Sequence, residues 1–86
     1  MRLLVTVRFR RAHAALPAED QQLVQKALHA MAEDLRHPSL YVKRIQGTQR
    51  IWEAHASRSL RLTFETERDA LILRNVGRHD EALGSP

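Results

Sequence analysis

The stretch Ile51-Trp52-Glu53-Ala54-His55-Ala56-Ser57-Arg58-Ser59-Leu60-Arg61-Leu62-Thr63-Phe64-Glu65 alternates apolar and polar residues on either side of a short polar break. Successive strand side chains point to opposite faces. Trp52, Ala54 and Ala56 therefore share one face while Glu53 and His55 share the other. On the following segment Leu60, Leu62 and Phe64 oppose Arg61, Thr63 and Glu65. Trp52 and the Leu60, Leu62, Phe64 row can be buried together only if the residue numbers of each antiparallel pair sum to an even value. A loop of Ser57-Arg58-Ser59 meets that condition. It puts His55 opposite Arg61 and Glu53 opposite Thr63.

A third strand is predicted over Ala70 to Gly77. A two-residue turn at Arg68-Asp69 would pair Phe64 with Leu73 and Thr63 with Arg74. The face away from the apolar row then carries Glu53, His55, Arg61, Thr63 and Arg74, with His79 just beyond the strand that brings Arg74.

Upstream, Leu3 to Val7 is apolar and β-branched and predicts a first strand. Phe9, Ala12 and Leu16 recur at helical spacing until Pro17, which has no N–H to continue a helix. Pro17 then opens a second helix whose Glu19 and Asp20 suit the positive end of its dipole. Its apolar positions are Leu23 or Val24, Ala27, Leu28, Met31 and Leu35, and His37-Pro38-Ser39 ends it. Leu40 to Ile45 reads as a linking stretch, Gly47 as a turn, and His13, His29 and His37 as solvated. The fold expected is α+β, with two helices packed on one face of a small antiparallel-rich sheet. Residues 1–83 form one domain and 84–86 a short, frayed tail.

Eighty-six residues allow one modest core. Apolar residues at 43% and charged residues at 28% match globular usage rather than disorder. There is no cysteine, which removes disulfides, thiolate metal sites and cysteine nucleophiles. No apolar run is long enough to cross a bilayer, and the N-terminus has no cleavage-site pattern, so a cytoplasmic protein is expected. The formal charge is +4, and all basic residues but Lys26 and Lys43 are arginine. Guanidinium forks match phosphate oxygens and stay charged when partly buried, which suits nucleic acid or an acidic protein partner.

One carboxylate, two imidazoles and two guanidiniums on one sheet face supply a base, an acid and a phosphate clamp for phosphodiester chemistry. A solvated face of balanced charges satisfies the same pattern. His79-Asp80 is too small a set for a metal site, and Trp52, alternating with Glu53, belongs to the core. Arg8, Arg10 and Arg11 suit either an RNA groove or an acidic partner.

Four strings resemble the RelE/ParE toxin superfamily of toxin–antitoxin systems. Phe9-Arg10-Arg11-Ala12-His13-Ala14-Ala15-Leu16-Pro17 is similar to its first helix closing on Leu-Pro. Lys43-Arg44-Ile45-Gln46-Gly47 through Ile51-Trp52-Glu53 resembles the lead into its second strand, and Ser59-Leu60-Arg61-Leu62-Thr63-Phe64 its arginine-bearing third strand. Val76-Gly77-Arg78-His79-Asp80-Glu81-Ala82-Leu83 resembles the Gly-x-His-Asp ending of many members. The resemblance covers essentially the whole chain. It implies a β-α-α-β-β-β fold and, for the RelE branch, metal-independent messenger RNA cleavage, often inside the ribosome. The ParE branch poisons DNA gyrase instead.

Carried over by position, the resemblance puts catalytic roles on Glu53, Arg61 and His79, and the face geometry adds His55. Glu53 or His55 would be the base and His79 the acid, with exchangeable roles. Arg74, Lys43, Arg44 and Arg50 are the candidates for holding substrate. No cofactor or metal is implied. The implied partners are a cognate antitoxin, messenger RNA and the ribosome, or DNA gyrase in the alternative reading; no membrane is involved. Where other members carry a tyrosine near the C-terminus this chain has Leu83, which leaves a non-catalytic binding module as a further alternative.

Overall fold

The computed structural model describes residues 1–86. Its elements are β1 (Arg2–Val5), α1 (Val7–Ala14), α2 (Ala18–Glu33), a 3₁₀ turn (Pro38–Leu40), β2 (Lys43–Arg44), β3 (Trp52–His55), β4 (Leu60–Glu67), β5 (Ala70–Arg78) and α3 (His79–Gly84). They form a five-stranded sheet in the order β1-β5-β4-β3-β2. Only the β1–β5 pair is parallel. The expected α+β class holds, with β2 and α3 as additional elements.

The first strand is shorter than predicted because Thr6 caps α1. Its hydroxyl oxygen accepts from the Phe9 N–H at 3.1 Å and donates to the Leu73 carbonyl at 2.7 Å. One side chain thus closes the helix start and ties it to β5. The α1–α2 junction is held by Gln21, whose amide donates to the carbonyls of His13 and Leu16 at 3.2 and 3.1 Å. The His13 carbonyl is the helix-end acceptor that Pro17, lacking an N–H, cannot serve.

α2 buries Val24, Ala27 and Met31, while Leu23 stays exposed, which resolves the choice between the two. With Phe9, Leu40, Ala54, Leu62, Phe64, Leu71, Leu73 and Val76 they make the core between the helices and the sheet. Trp52 is half-buried against it. His13 is not solvated as expected: it stacks on Phe9 at 6.4 Å, and its Nε2 is buried without a partner.

The first hairpin has the register read from the alternation, with Trp52 opposite Phe64, Glu53 opposite Thr63 and His55 opposite Arg61. The second departs from it. Phe64 pairs with Leu73 as expected, but Thr63 pairs with Asn75, not Arg74, because the ladder shifts between Thr63 and Phe64. Arg74 is the extra residue of a β-bulge. The bulge keeps both Leu73 and Val76 in the core, which strict alternation would forbid.

The tail is not frayed, and the face away from α1 and α2 is not open. α3 lies over Gly77, where Glu81 Cβ stands 3.7 Å from the position a methyl group would take, and Ala82 is fully buried. The Pro86 carbonyl accepts from Thr63 at 3.2 Å and Arg74 at 3.1 Å, and the Ser85 carbonyl from Asn75 at 3.0 Å and from Arg8. Asp80 and Glu81 in its first turn suit the helix dipole.

Thr6→Ala should lower unfolding free energy by about 1–2 kcal/mol through the lost cap and the lost hydroxyl bond to the Leu73 carbonyl, which keeps only the Thr6 N–H, whereas Thr6→Ser should keep most of it. Urea denaturation of both variants measures this, and an alanine variant with the wild-type midpoint would show that the cap contributes nothing.

Candidate active site

Two rows of the sheet build the site. Lys43, Glu53, Thr63 and Asn75 lie side by side across β2, β3, β4 and β5; His55, Arg61 and Gly77 form the next row. Hydrophobic burial of the opposite face sets this register, so it also sets which polar groups meet.

The Glu53 carboxylate and Arg61 guanidinium are 6% and 11% exposed, with Oε1 and Nε 3.7 Å apart. That separation is attractive but too long for a hydrogen bond. Arg61 Nε is buried with no acceptor at all. Its Nη1 donates to the carbonyls of Ser57 and Arg58 at 3.1 and 2.8 Å, so the arginine braces the loop between β3 and β4. Arg61 lies on the face away from the apolar row, as expected, but it is nearly buried there.

His55 Nε2 stands 3.9 Å from Glu53 Oε1. Burial pushes the His55 pKa below its ordinary 6.5 and the Arg61 charge pushes it the same way; Glu53 opposes both, and Lys43 and His79 add to the lowering. The imidazole is therefore neutral at neutral pH and able to accept a proton.

His79 opens α3. Its N–H donates to the Ser59 carbonyl at 3.0 Å, and Arg78 beside it reaches Ser59 Oγ at 2.6 Å and Asp20 at 2.9 Å. The loop that Arg61 braces thus also fixes the start of α3 and, through Asp20, the start of α2. His79 lies near enough for its charge to lower the His55 pKa, and its Nδ1 is 3.1 Å from Asp80 Oδ1.

Glu53, His55 and Arg61 therefore converge, with Lys43 opposite Glu53 and the start of α3, which carries His79, tied to the same loop through Ser59. Arg74 and Arg50 do not join them. Both turn to Glu65, at 2.5 and 3.8 Å, along a separate cleft that also includes Thr48. Arg44, exposed and opposite Trp52, flanks a cleft of about 520 Å³ whose walls include Lys43, Glu53 and Leu83. Leu83 gives that cleft an apolar side. No group of three or more His, Asp and Glu side chains converges as a metal set would.

Sequence reading missed Tyr41. The only tyrosine of the chain, it places its ring 4.9 Å from that of His55. Both line a cleft of about 510 Å³ with Ser57, Arg58 and Arg61. Tyr41 lies outside every strand, so no alternation could assign it to a face.

No family model and no curated protein matches the sequence. Solved structures do resemble the fold. YafQ from Escherichia coli superposes with a TM-score of 0.78 at 14% identity, covering 94% of this chain and 97% of that one. The RelB–RelE antitoxin–toxin complex from Methanococcus jannaschii gives 0.75 at 16%, covering 91% and 92%. The intact E. coli RelBE toxin–antitoxin complex gives 0.69 at 16%, covering 90% and 94%. At these identities the likeness is one of architecture, and the chain has the RelE-like toxin fold.

Proposed function

We propose that the chain is the toxin of a toxin–antitoxin pair and that it inhibits translation in the cytoplasm by cleaving messenger RNA without a metal. What supports this reading is the grouping on one sheet face of the Glu53 carboxylate, the Arg61 guanidinium and a His55 imidazole of lowered pKa, with His55 and Arg61 lining one cleft. A fixed, largely desolvated guanidinium beside a proton acceptor suits the charge of a reacting phosphodiester.

In this mechanism His55, its pKa depressed, removes the proton from a 2′-hydroxyl, and Glu53 helps to hold the imidazole and Arg61. The 2′-oxygen attacks the adjacent phosphorus in line, the phosphorus–O5′ bond breaks, and His79 protonates the departing oxygen. The products are a 2′,3′-cyclic phosphate and a 5′-hydroxyl. Arg61 stabilises the charge of the phosphorane, and Lys43 and Arg44 meet the backbone on one side. Arg50 and Arg74 form a second phosphate-binding area, available once their ion pairs with Glu65 exchange for substrate. The ribosome is the setting proposed for cleavage.

The antitoxin partner is supported by the likeness to toxins whose structures contain RelB-type antitoxins. It also has a surface to meet: Leu4, Val5 and Val7 are exposed around the outer strand β1, beside Arg8, Arg10 and Arg11. An acidic amphipathic segment would cover both apolar and basic groups. No helix is long and apolar enough to cross a membrane.

The second reading, a gyrase poison or a non-catalytic binding module, draws on Leu83, which places hydrocarbon where a proton-carrying phenol would stand. Induced expression in a bacterium followed by primer extension on messenger RNA separates the two. New 5′ ends support cleavage, whereas intact messages together with inhibited DNA supercoiling support the second reading.

His79→Gln should lower the cleavage rate by roughly 10²–10⁴ while leaving RNA affinity little changed, because a proton donor acts mainly in the transition state. Equal losses in binding and rate would remove His79 from the acid role.

The rate should rise with pH as His55 loses its proton, and the midpoint of that limb should lie below 6.5, since burial and Arg61 lower this pKa. His55→Gln should abolish the limb. A midpoint above 6.5, or an unaltered limb in the glutamine variant, would assign the base elsewhere.

A further inference from the structure

Tyr41 combines two features that packing does not explain. Its backbone is left-handed, with φ 46° and ψ 48°, a region that a bulky side chain enters only at a cost in free energy. Its side chain gains little in return, since the residue is 67% exposed. The turn itself has a local cause. It is a left-handed reversal that caps the 3₁₀ turn, with Leu40 on one side buried in the core and Val42 on the other packed against it. Glycine or asparagine would make that reversal at less cost. A tyrosine there puts a phenol ring outside the core, tilted by 39° and 4.9 Å from the His55 ring.

The cleft beside it has a charged end. Arg61 and Arg58 line it with His55 and Ser57, and Arg58 is exposed. An exposed aromatic face and arginines meeting at one imidazole suit a ligand with a flat ring joined to an anion about one sugar away. A nucleotide has that build. A base stacks on an aromatic ring whatever its hydrogen-bonding edge, and the larger purine face stacks more strongly.

We infer that Tyr41 is the stacking platform for an unpaired nucleobase next to the phosphate held at His55 and Arg61, with purines preferred. This rests on the RNA-cleavage reading of the same site and adds the subsite that would give cleavage its base preference. The ring leaves the message's base displayed on the protein surface, and the left-handed turn holds the ring in position before substrate arrives, so less order is lost on binding.

The test uses short RNA oligonucleotides with 2′-O-methyl groups throughout, which bind but cannot be cleaved, and reads their affinity by fluorescence anisotropy. An abasic residue is placed at each position in turn. Against wild-type protein one position should weaken binding about 10-fold to 100-fold when its base is missing, and a purine there should bind more tightly than a pyrimidine. Tyr41→Gly should show a comparable loss with the intact oligonucleotide and no further loss with the abasic one, the signature of two groups in contact. Because glycine accepts the positive φ, this variant should melt at or above the wild-type temperature. Tyr41→Phe should keep the affinity and the base coupling of the wild type, since stacking needs no hydroxyl.

Unchanged affinity in Tyr41→Gly, or no coupling to any base, with wild-type binding intact, overturns the stacking platform and leaves the cleavage reading standing. A Tyr41→Phe variant that loses affinity or base coupling shows that the hydroxyl rather than the ring makes the contact, and likewise overturns it. Wild-type protein that binds none of the oligonucleotides, either free or carried by ribosomes, overturns the RNA reading and the platform together.

Discussion

A one-residue slip between β3 and β4 would turn Leu62 and Phe64 away from the helices and send Arg61 and Thr63 into the core. Burying each such apolar side chain is worth roughly 1.5–3 kcal/mol, against a total stability of about 5–15 kcal/mol for a domain, so the slip is excluded. The same constraint assembles the site. Once Trp52 is opposite Phe64, Glu53 must lie beside Thr63 and His55 beside Arg61, and no polar interaction is needed to bring them there. The chemistry on one face is aligned by hydrocarbon on the other.

The bulge at Arg74 is the second constraint, and its effect runs the length of β5. Without it, Leu73 and Val76 could not both reach the core, and Val76 would face α3. With it, the phase of the strand reverses once, so that Arg78 leaves the sheet where it can reach Asp20 on α2 while His79 enters α3 beside Ser59. The bulge thereby carries His79 to the His55 end of the site and leaves Arg74 with Glu65 at the other. An unbulged strand would have put Arg74 in the row of Thr63, nearer Glu53.

What could be read from the chain follows from these two constraints. Alternation over Trp52 to Phe64 is strict, so the first register and the grouping of Glu53, His55 and Arg61 were legible in the sequence. The bulge was not, because Leu71, Ile72, Leu73 and Val76 are all apolar and a run of apolar residues carries no phase. α3 was hidden for a related reason: its six residues offer one buried side chain, Ala82, too little periodicity to declare a helix. Arg61 was assigned to the correct face but given too much solvent, since the helix that covers that face could not be foreseen. Tyr41 gave no signal at all; only the fold brings residue 41 to residue 55.

The burial of Glu53 and Arg61 argues for use rather than support. An ion pair this far from water loses hydration on both sides, and only close, fully bonded geometry recovers it. Here the nearest approach is 3.7 Å and the arginine's Nε has no acceptor, so the pair is a poor stabiliser by its own geometry. An apolar pair of similar volume would serve the fold as well or better. The phosphate-binding role proposed for Arg61 has a different requirement. The guanidinium has to be fixed, which Ser57 and Arg58 accomplish through Nη1; it has to be shielded from water so that its charge is felt; and it must not be neutralised too tightly by its own carboxylate. Glu53 meets the last condition by standing near Arg61 without bonding to it, close enough to lessen the cost of the buried charge and too far to satisfy Nε. A shorter pair would be more stable and would neutralise the guanidinium more tightly.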